Sequence, residues 1–151
     1  MSAVPSIHMQ GTSAAGAWLE PLRDWPTTII RSLQTNAAVV RIVIASVRGS
    51  SPREAGATMV VAGQRVFGTI GGGQLEWMAI ATAGTLLHAA DVQRFSLGPQ
   101  LSQCCGGAVE LWFERFTAAD LACIRGEQIG VRAGANAAPA LSAGCAQAPD
   151  W

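Results

Sequence analysis

The sequence predicts an α/β chain, with α+β as the alternative: a mixed sheet of about five strands and two main helices packed against it. Three observations lead there. Half of the 151 residues are hydrophobic, enough for one sizeable core. Residues 18–35 and 74–90 repeat apolar side chains every three or four positions, the period of a helix with one buried face. Between and after them stand β-branched runs bounded by glycine, proline and polar clusters, the pattern of strands.

Residues 1–17 are small and polar, with Pro5, Gly11 and Gly16, and predict a disordered lead. Trp18, Leu22, Trp25, Ile29, Ile30 and Leu33 form the first helical pattern; Pro26 either divides that helix or starts it afresh. "AAVVRIVIASV" (37–47) predicts a mostly buried strand, and "RGSSPREAG" (48–56) a polar loop. "ATMVVAGQRVFGTI" (57–70) reads as a hairpin turning at Ala62-Gly63-Gln64. Leu75, Met78, Ala79, Thr82, Leu86 and Ala89 mark the second helix. Residues 91–96 form a short strand, 97–107 ("LGPQLSQCCGG") a second loop, and 108–116 a strand alternating Val109, Leu111 and Phe113. Thr117 with Asp120 resembles a capping box and starts a short helix. Beyond Gly126 an Ala-, Gly- and Pro-rich stretch has no period, so 126–151 reads as a disordered or aberrant tail and 18–125 as the one domain.

The ten basic residues are all arginine and balance ten acids, for a net charge of zero. A surface for nucleic acid or anionic membrane needs a basic excess, so neither is expected as a partner. Without lysine, neither a Walker-type phosphate loop nor Schiff-base chemistry is available. The N-terminus lacks a basic segment leading into an apolar one, and the run from Trp77 to Ala90 is too short and polar to span a bilayer. Cys104, Cys105, Cys123 and Cys145 are not spaced as a disulfide framework, which predicts a reduced, cytoplasmic protein.

Three stretches carry candidate chemistry. Gly71-Gly72-Gly73 precedes a helix but departs from the dinucleotide fingerprint, which needs a glycine where Glu76 stands. It is either a tight strand-to-helix turn or an anion cradle, in which the amides of Gly72, Gly73 and Gln74 face a phosphate or another oxyanion. Glu76 complements the helix dipole and reads as structural. Arg48 and Arg53 flank Ser50 and Ser51, either in a solvated turn or as forks and hydroxyls for a planar or phosphorylated ligand. Cys104 and Cys105 are adjacent thiols in a glycine-rich loop, poor core material and suited to soft-metal or sulfur chemistry. Their spacing does not make a zinc site, and His8 and His88 are given no chemistry.

Together, "VRGSSPREAGATMVV" (47–61), "GTIGGGQLEW" (68–77) and "LGPQLSQCCGGAVEL" (97–111) resemble, in order and spacing, the N-terminal domain of the XdhC/CoxI family. These are accessory proteins of xanthine dehydrogenase and related molybdenum hydroxylases. The resemblance implies a chaperone that binds the molybdenum cofactor, as molybdopterin or its cytidine dinucleotide form. It would protect the cofactor during sulfuration by a cysteine desulfurase-like donor and deliver it to the apo-enzyme, with a homodimer as a further expectation. The cofactor-binding residues so implied are Arg48, Ser50, Ser51, Arg53, Gly71, Gly72, Gly73, Gln74, Gln103, Cys104, Cys105 and Gly106, with Cys104 and Cys105 as molybdenum contacts. No catalytic residue is implied. The family's second, nucleotide-binding-like domain is missing, so the chain is expected to be truncated relative to it. Two other readings stand beside the chaperone: a cysteine-based sulfur or redox transfer enzyme, and a non-functional remnant.

Overall fold

The structure, a computed structural model, describes residues 19–98 and 106–125. The expectations for 1–17 and 126–151, and for Gln103, Cys104 and Cys105, lie outside those residues.

The β-branched run becomes β2 (Ala38–Arg48), which pairs antiparallel with β3 (Thr58–Ala62) on one side and β6 (Ala108–Thr117) on the other. β3 turns into β4 (Arg65–Gly68) through Gly63-Gln64, where Gly63 takes a φ of 60°. β5 (Ala90–Ser96) pairs antiparallel with β6, and a two-residue strand β1 (Leu19–Glu20) adds to β4 in parallel. The sheet order is β1-β4-β3-β2-β6-β5, mixed only through that short parallel pair.

β2 is buried on both faces, which is why its sequence is apolar almost throughout rather than alternating. On one face Val40, Ile42 and Ile44 pack with Met59, Leu111 and Phe113 under α2 (Gly73–Thr85), which contributes Leu75, Ala79 and Ala83. On the other, Val39, Val60, Phe67 and Phe116 pack under α1 (Trp25–Ser32) through Ile29, with Trp25, Ile30 and Leu33 at the margin.

Both helices are shorter than their periodicity predicts. The first starts at Trp25, not residue 18. Pro26 has no N–H to give a preceding turn, so Asp24 caps in extended geometry, Pro26 sits in the first turn, and Leu19–Glu20 joins the sheet. The second stops at Thr85, not residue 90. Sheet pairing takes the chain beyond it: Arg115 N–H donates to the Ala89 carbonyl at 2.8 Å, and Ala90 already lies opposite Glu114. His88 is therefore exposed beyond the helix rather than late within it.

The capping box forms, with Thr117 N–H donating to Asp120 Oδ2 at 2.7 Å. It opens a 3-10 turn (Ala118–Asp120) that runs into α3 (Leu121–Arg125). Among the described residues no helix is long and apolar enough to cross a membrane.

Candidate functional site

The antiparallel order brings three connections to one end of the sheet: 49–57 after β2, 69–72 after β4, and 97–107 between β5 and β6. The register requires it, because Arg48 lies opposite Ala108, Ala108 opposite Ser96, and Gly68 opposite Met59.

Their backbones touch. A Cβ on Gly107 would fall 2.5 Å from the Arg48 carbonyl oxygen and closer still to that of Ser50, so only glycine fits there. Gly71, at φ 126°, lies against the ring of Pro52, whose Cβ would be 2.9 Å from an added methyl. Leu97 N–H donates to the Gly107 carbonyl at 2.7 Å, extending the β5–β6 pairing by one bond. Loop 49–57 is thus the middle member, with the glycine turn on one flank and the 97–107 connection on the other.

A β-bulge aims the end of β2 at this site. The register shifts between Ile44 and Ser46, leaving Ala45 as the extra residue. Val47 then packs against the α2-side core, while Ser46 and Arg48 turn to the opposite face beside Glu110. Glu110 accepts from Ser46 Oγ at 2.8 Å and from Arg94 at 2.5 Å. The Arg94 bond first, then Ser46, hold its carboxyl below the usual range. Arg48 itself is exposed and forms no salt bridge among the described residues. Arg53 is 41% exposed and only 3.9 Å from an exposed Glu54 carboxylate, a contact that leaves most of the guanidinium available. Val47, Gly49, Ser51, Pro52 and Arg53 line an open depression of about 350 Å³ to which Arg48, turned toward Glu110, does not contribute. Ser51 is turned inward along its own loop, donating to the Arg53 carbonyl at 2.9 Å; Ser50 is exposed.

The glycine turn differs from the expected cradle of three free amides. Glu76, 7% exposed, folds back from the first turn of α2, and its Oε1 accepts from Ile70 N–H at 3.0 Å, Gly72 N–H at 2.9 Å and the Thr69 hydroxyl. Thr69 Oγ1 in turn accepts from Gly71 N–H at 3.1 Å. The Gly72 amide is therefore occupied by the chain's own carboxylate. Gly73 and Gln74, both exposed at the helix start, keep the N–H groups that helix geometry leaves without an intrahelical acceptor. Gly106 is exposed, with nothing within 4 Å of an added Cβ.

Sequence reasoning placed Glu76 as structural but not as the occupant of the turn. The available signal was its isolation, for it is the only formal charge between Arg65 and Asp91. The bulge at Ala45 and the packing of Gly107 left no comparable trace. Among the described residues no cluster of three or more His, Cys, Asp or Glu could hold a metal.

Residues 32–97 match the XdhC and CoxI family. The XdhC/CoxI match runs from the end of α1 to Leu97, so it includes the bulge, loop 49–57 and the glycine turn. A solved structure described as a xanthine dehydrogenase from Bacillus halodurans shares the fold, with a TM-score of 0.55 over 64% of this chain at 23% identity. The chain spans 31% of that protein's length. No curated protein matches it.

Proposed function

We propose that this XdhC/CoxI-like chain is an accessory protein, not an enzyme, that binds the molybdenum cofactor at the three-loop end of its sheet. It protects the cofactor while a cysteine desulfurase-like donor supplies sulfur, and passes it to an apo molybdenum hydroxylase of the xanthine dehydrogenase type, in the reduced setting of the cytoplasm. The observation that carries this reading is the family match over two of the three loops, at the end of the sheet where Arg48 and Arg53 stand exposed.

The residues present fit such a group. Two guanidinium forks and the open amides of Gly73 and Gln74 suit a phosphate or oxo-metal anion and the polar edge of a pterin. Ser50 and Gly106 are exposed on either side of the close Ser50–Gly107 backbone contact, and Gln103, Cys104 and Cys105 precede them in the sequence between β5 and β6. When bound, the cofactor supplies the molybdenum and dithiolene chemistry; the chain's own residues hold and shield it.

The test is pterin retention. The full chain, purified from cofactor-replete cells, should release an oxidised, fluorescent pterin. An Arg48→Ala/Arg53→Ala double variant should retain at least about ten-fold less, since each charge-assisted contact is worth roughly 1.5–3 kcal/mol, while melting at the same temperature. Cys104→Ser and Cys105→Ser report on the thiols in the same assay. Wild-type chain without pterin, or arginine variants that keep it undiminished, would refute the proposal.

A further inference from the structure

Arg48 and Arg53 stand on opposite faces of the sheet's end. Arg53 is on the α2 side: it lines the depression with Val47, and its Cγ is 3.6 Å from a Cβ built on Gly71. Arg48 follows Val47 in β2 and so turns to the other face, the one that α1 covers further along the sheet. On that face the last two cross-strand rows of β2, β6 and β5 are polar. The outermost is Arg48–Ala108–Ser96 and the next Ser46–Glu110–Arg94. Glu110 organises the inner row. Its Oε2 accepts from Ser46 Oγ at 2.8 Å, and its Oε1 accepts from Arg94 Nε at 3.2 Å and Nη2 at 2.5 Å. Arg94 Nη1, the Arg48 guanidinium and the Ser96 hydroxyl make no hydrogen bond among the described residues, and all three side chains are exposed. Two guanidinium groups share one carboxylate, which leaves one positive charge in excess.

We infer that this corner is a second anion subsite, separate from the Arg53 depression, and that it takes a phosphoryl group seated over Ala108. Neighbouring strands lie about 4.8 Å apart, so Arg48 and Ser96 flank Ala108 across about 10 Å. Only the Ala108 methyl rises between them in that row, which leaves room for a tetrahedral anion. Arg48 donates from the β2 side, Arg94 Nη1 and Ser96 Oγ from the β5 side. Donors converging from two flanks match the several terminal oxygens of a phosphoryl group better than the two coplanar oxygens of a carboxylate. Glu110 already holds Arg94 in place, so binding an anion costs less ordering of that long side chain. The subsite does not require the cofactor reading: its phosphoryl group arrives either as part of that ligand or alone.

Calorimetric titration of the full chain with inorganic pyrophosphate at low ionic strength tests it. Arg48→Gln removes a donor, and Ala108→Leu fills the floor without changing charge. Each should raise the dissociation constant at least about ten-fold. Arg53→Gln should leave the same binding event within about two-fold, because it lies on the other face. Equal melting temperatures show that each variant is folded. Pterin retention by Arg48→Gln then separates the two sources, since both results keep the subsite. Retention lost together with pyrophosphate binding assigns the phosphoryl group to the cofactor, and retention kept makes it a separate ligand. A chain that binds pyrophosphate in this pattern but never carries pterin would refute the cofactor reading and leave the subsite standing. No pyrophosphate binding by the wild type, an equal loss in Arg53→Gln, or undiminished binding in Ala108→Leu would overturn the inference.

Discussion

Glu76 answers what the glycine turn holds. A run of three glycines before a helix resembles a site for an external anion, but here the first anion in the turn is the chain's own. Every bond in that seat goes to one oxygen, Oε1. The two obvious substitutions therefore separate. Glu76→Ala leaves the buried Ile70 amide without its acceptor and should lower stability by about 2–4 kcal/mol. Glu76→Gln keeps an acceptor oxygen in the same place, loses only charge assistance, and should lower it by about 1 kcal/mol. Chemical denaturation of both variants checks this; equal losses would mean that the oxygen is not what holds the turn. The glycines were readable because all three take a positive φ, 126°, 79° and 64°, which side chains rarely adopt, and Gly71 also lies against Pro52. The seat was not, because Thr69 and Glu76 are seven residues apart and match no local capping pattern.

β2 shows how an element's register governs a site. Its burial was evident from 37–47, yet the strand holds an arginine in its middle, and the structure buries that arginine instead of turning it to water. Arg41 donates to Glu114 on β6 at 2.8 Å and stacks 3.9 Å from the centre of the Trp25 ring on α1, so one ion pair ties two strands and a helix. Burial disfavours charge on both partners: it lowers the guanidinium pKa and raises the Glu114 carboxyl to about 7 against its Arg41 attraction. The native state then holds a proton on Glu114 between about pH 4.5 and 7 that the unfolded chain has released. That contribution to stability is full below the unfolded value and is lost as pH rises through 7. Unfolding free energies at about pH 5 and about pH 8 should show wild type losing stability toward the higher pH, and Glu114→Gln losing distinctly less. An identical slope in the variant would remove Glu114 as its source.

In the molecule as a whole, β2 and β6 share the longest pairing and lie inside the sheet, whereas β1 is a two-residue edge. Backbone amides in β2 and β6 should therefore exchange slowest with solvent, approaching the rate of global unfolding, and those of β1 fastest. Hydrogen exchange read by mass spectrometry or NMR decides it; fast exchange across the β2–β6 ladder would contradict this sheet order. The same topology explains why three connections far apart in sequence leave the same end of the sheet, where loop 49–57 lies against Gly71 through Pro52 and against Gly107 through Gly49.

Local chemistry was enough for the two main helices, strands β2 to β6, the hairpin turn, the capping box at Thr117, the polar loop after β2 and the glycine turn, because periodicity, glycine and hydroxyl caps act over a few residues; the two-residue strand β1 fell inside the helical pattern. Helix ends, the bulge at Ala45, the Arg41–Glu114 pair and the seating of Glu76 came from partners distant in the chain. A proline moved the start of α1, but sheet pairing at Ala89 and Ala90 ended α2, and a hydrogen-bond ladder to a strand twenty-five residues later has no signature in the helix it interrupts. Residue pattern says which groups can do chemistry; strand order and register decide which of them meet.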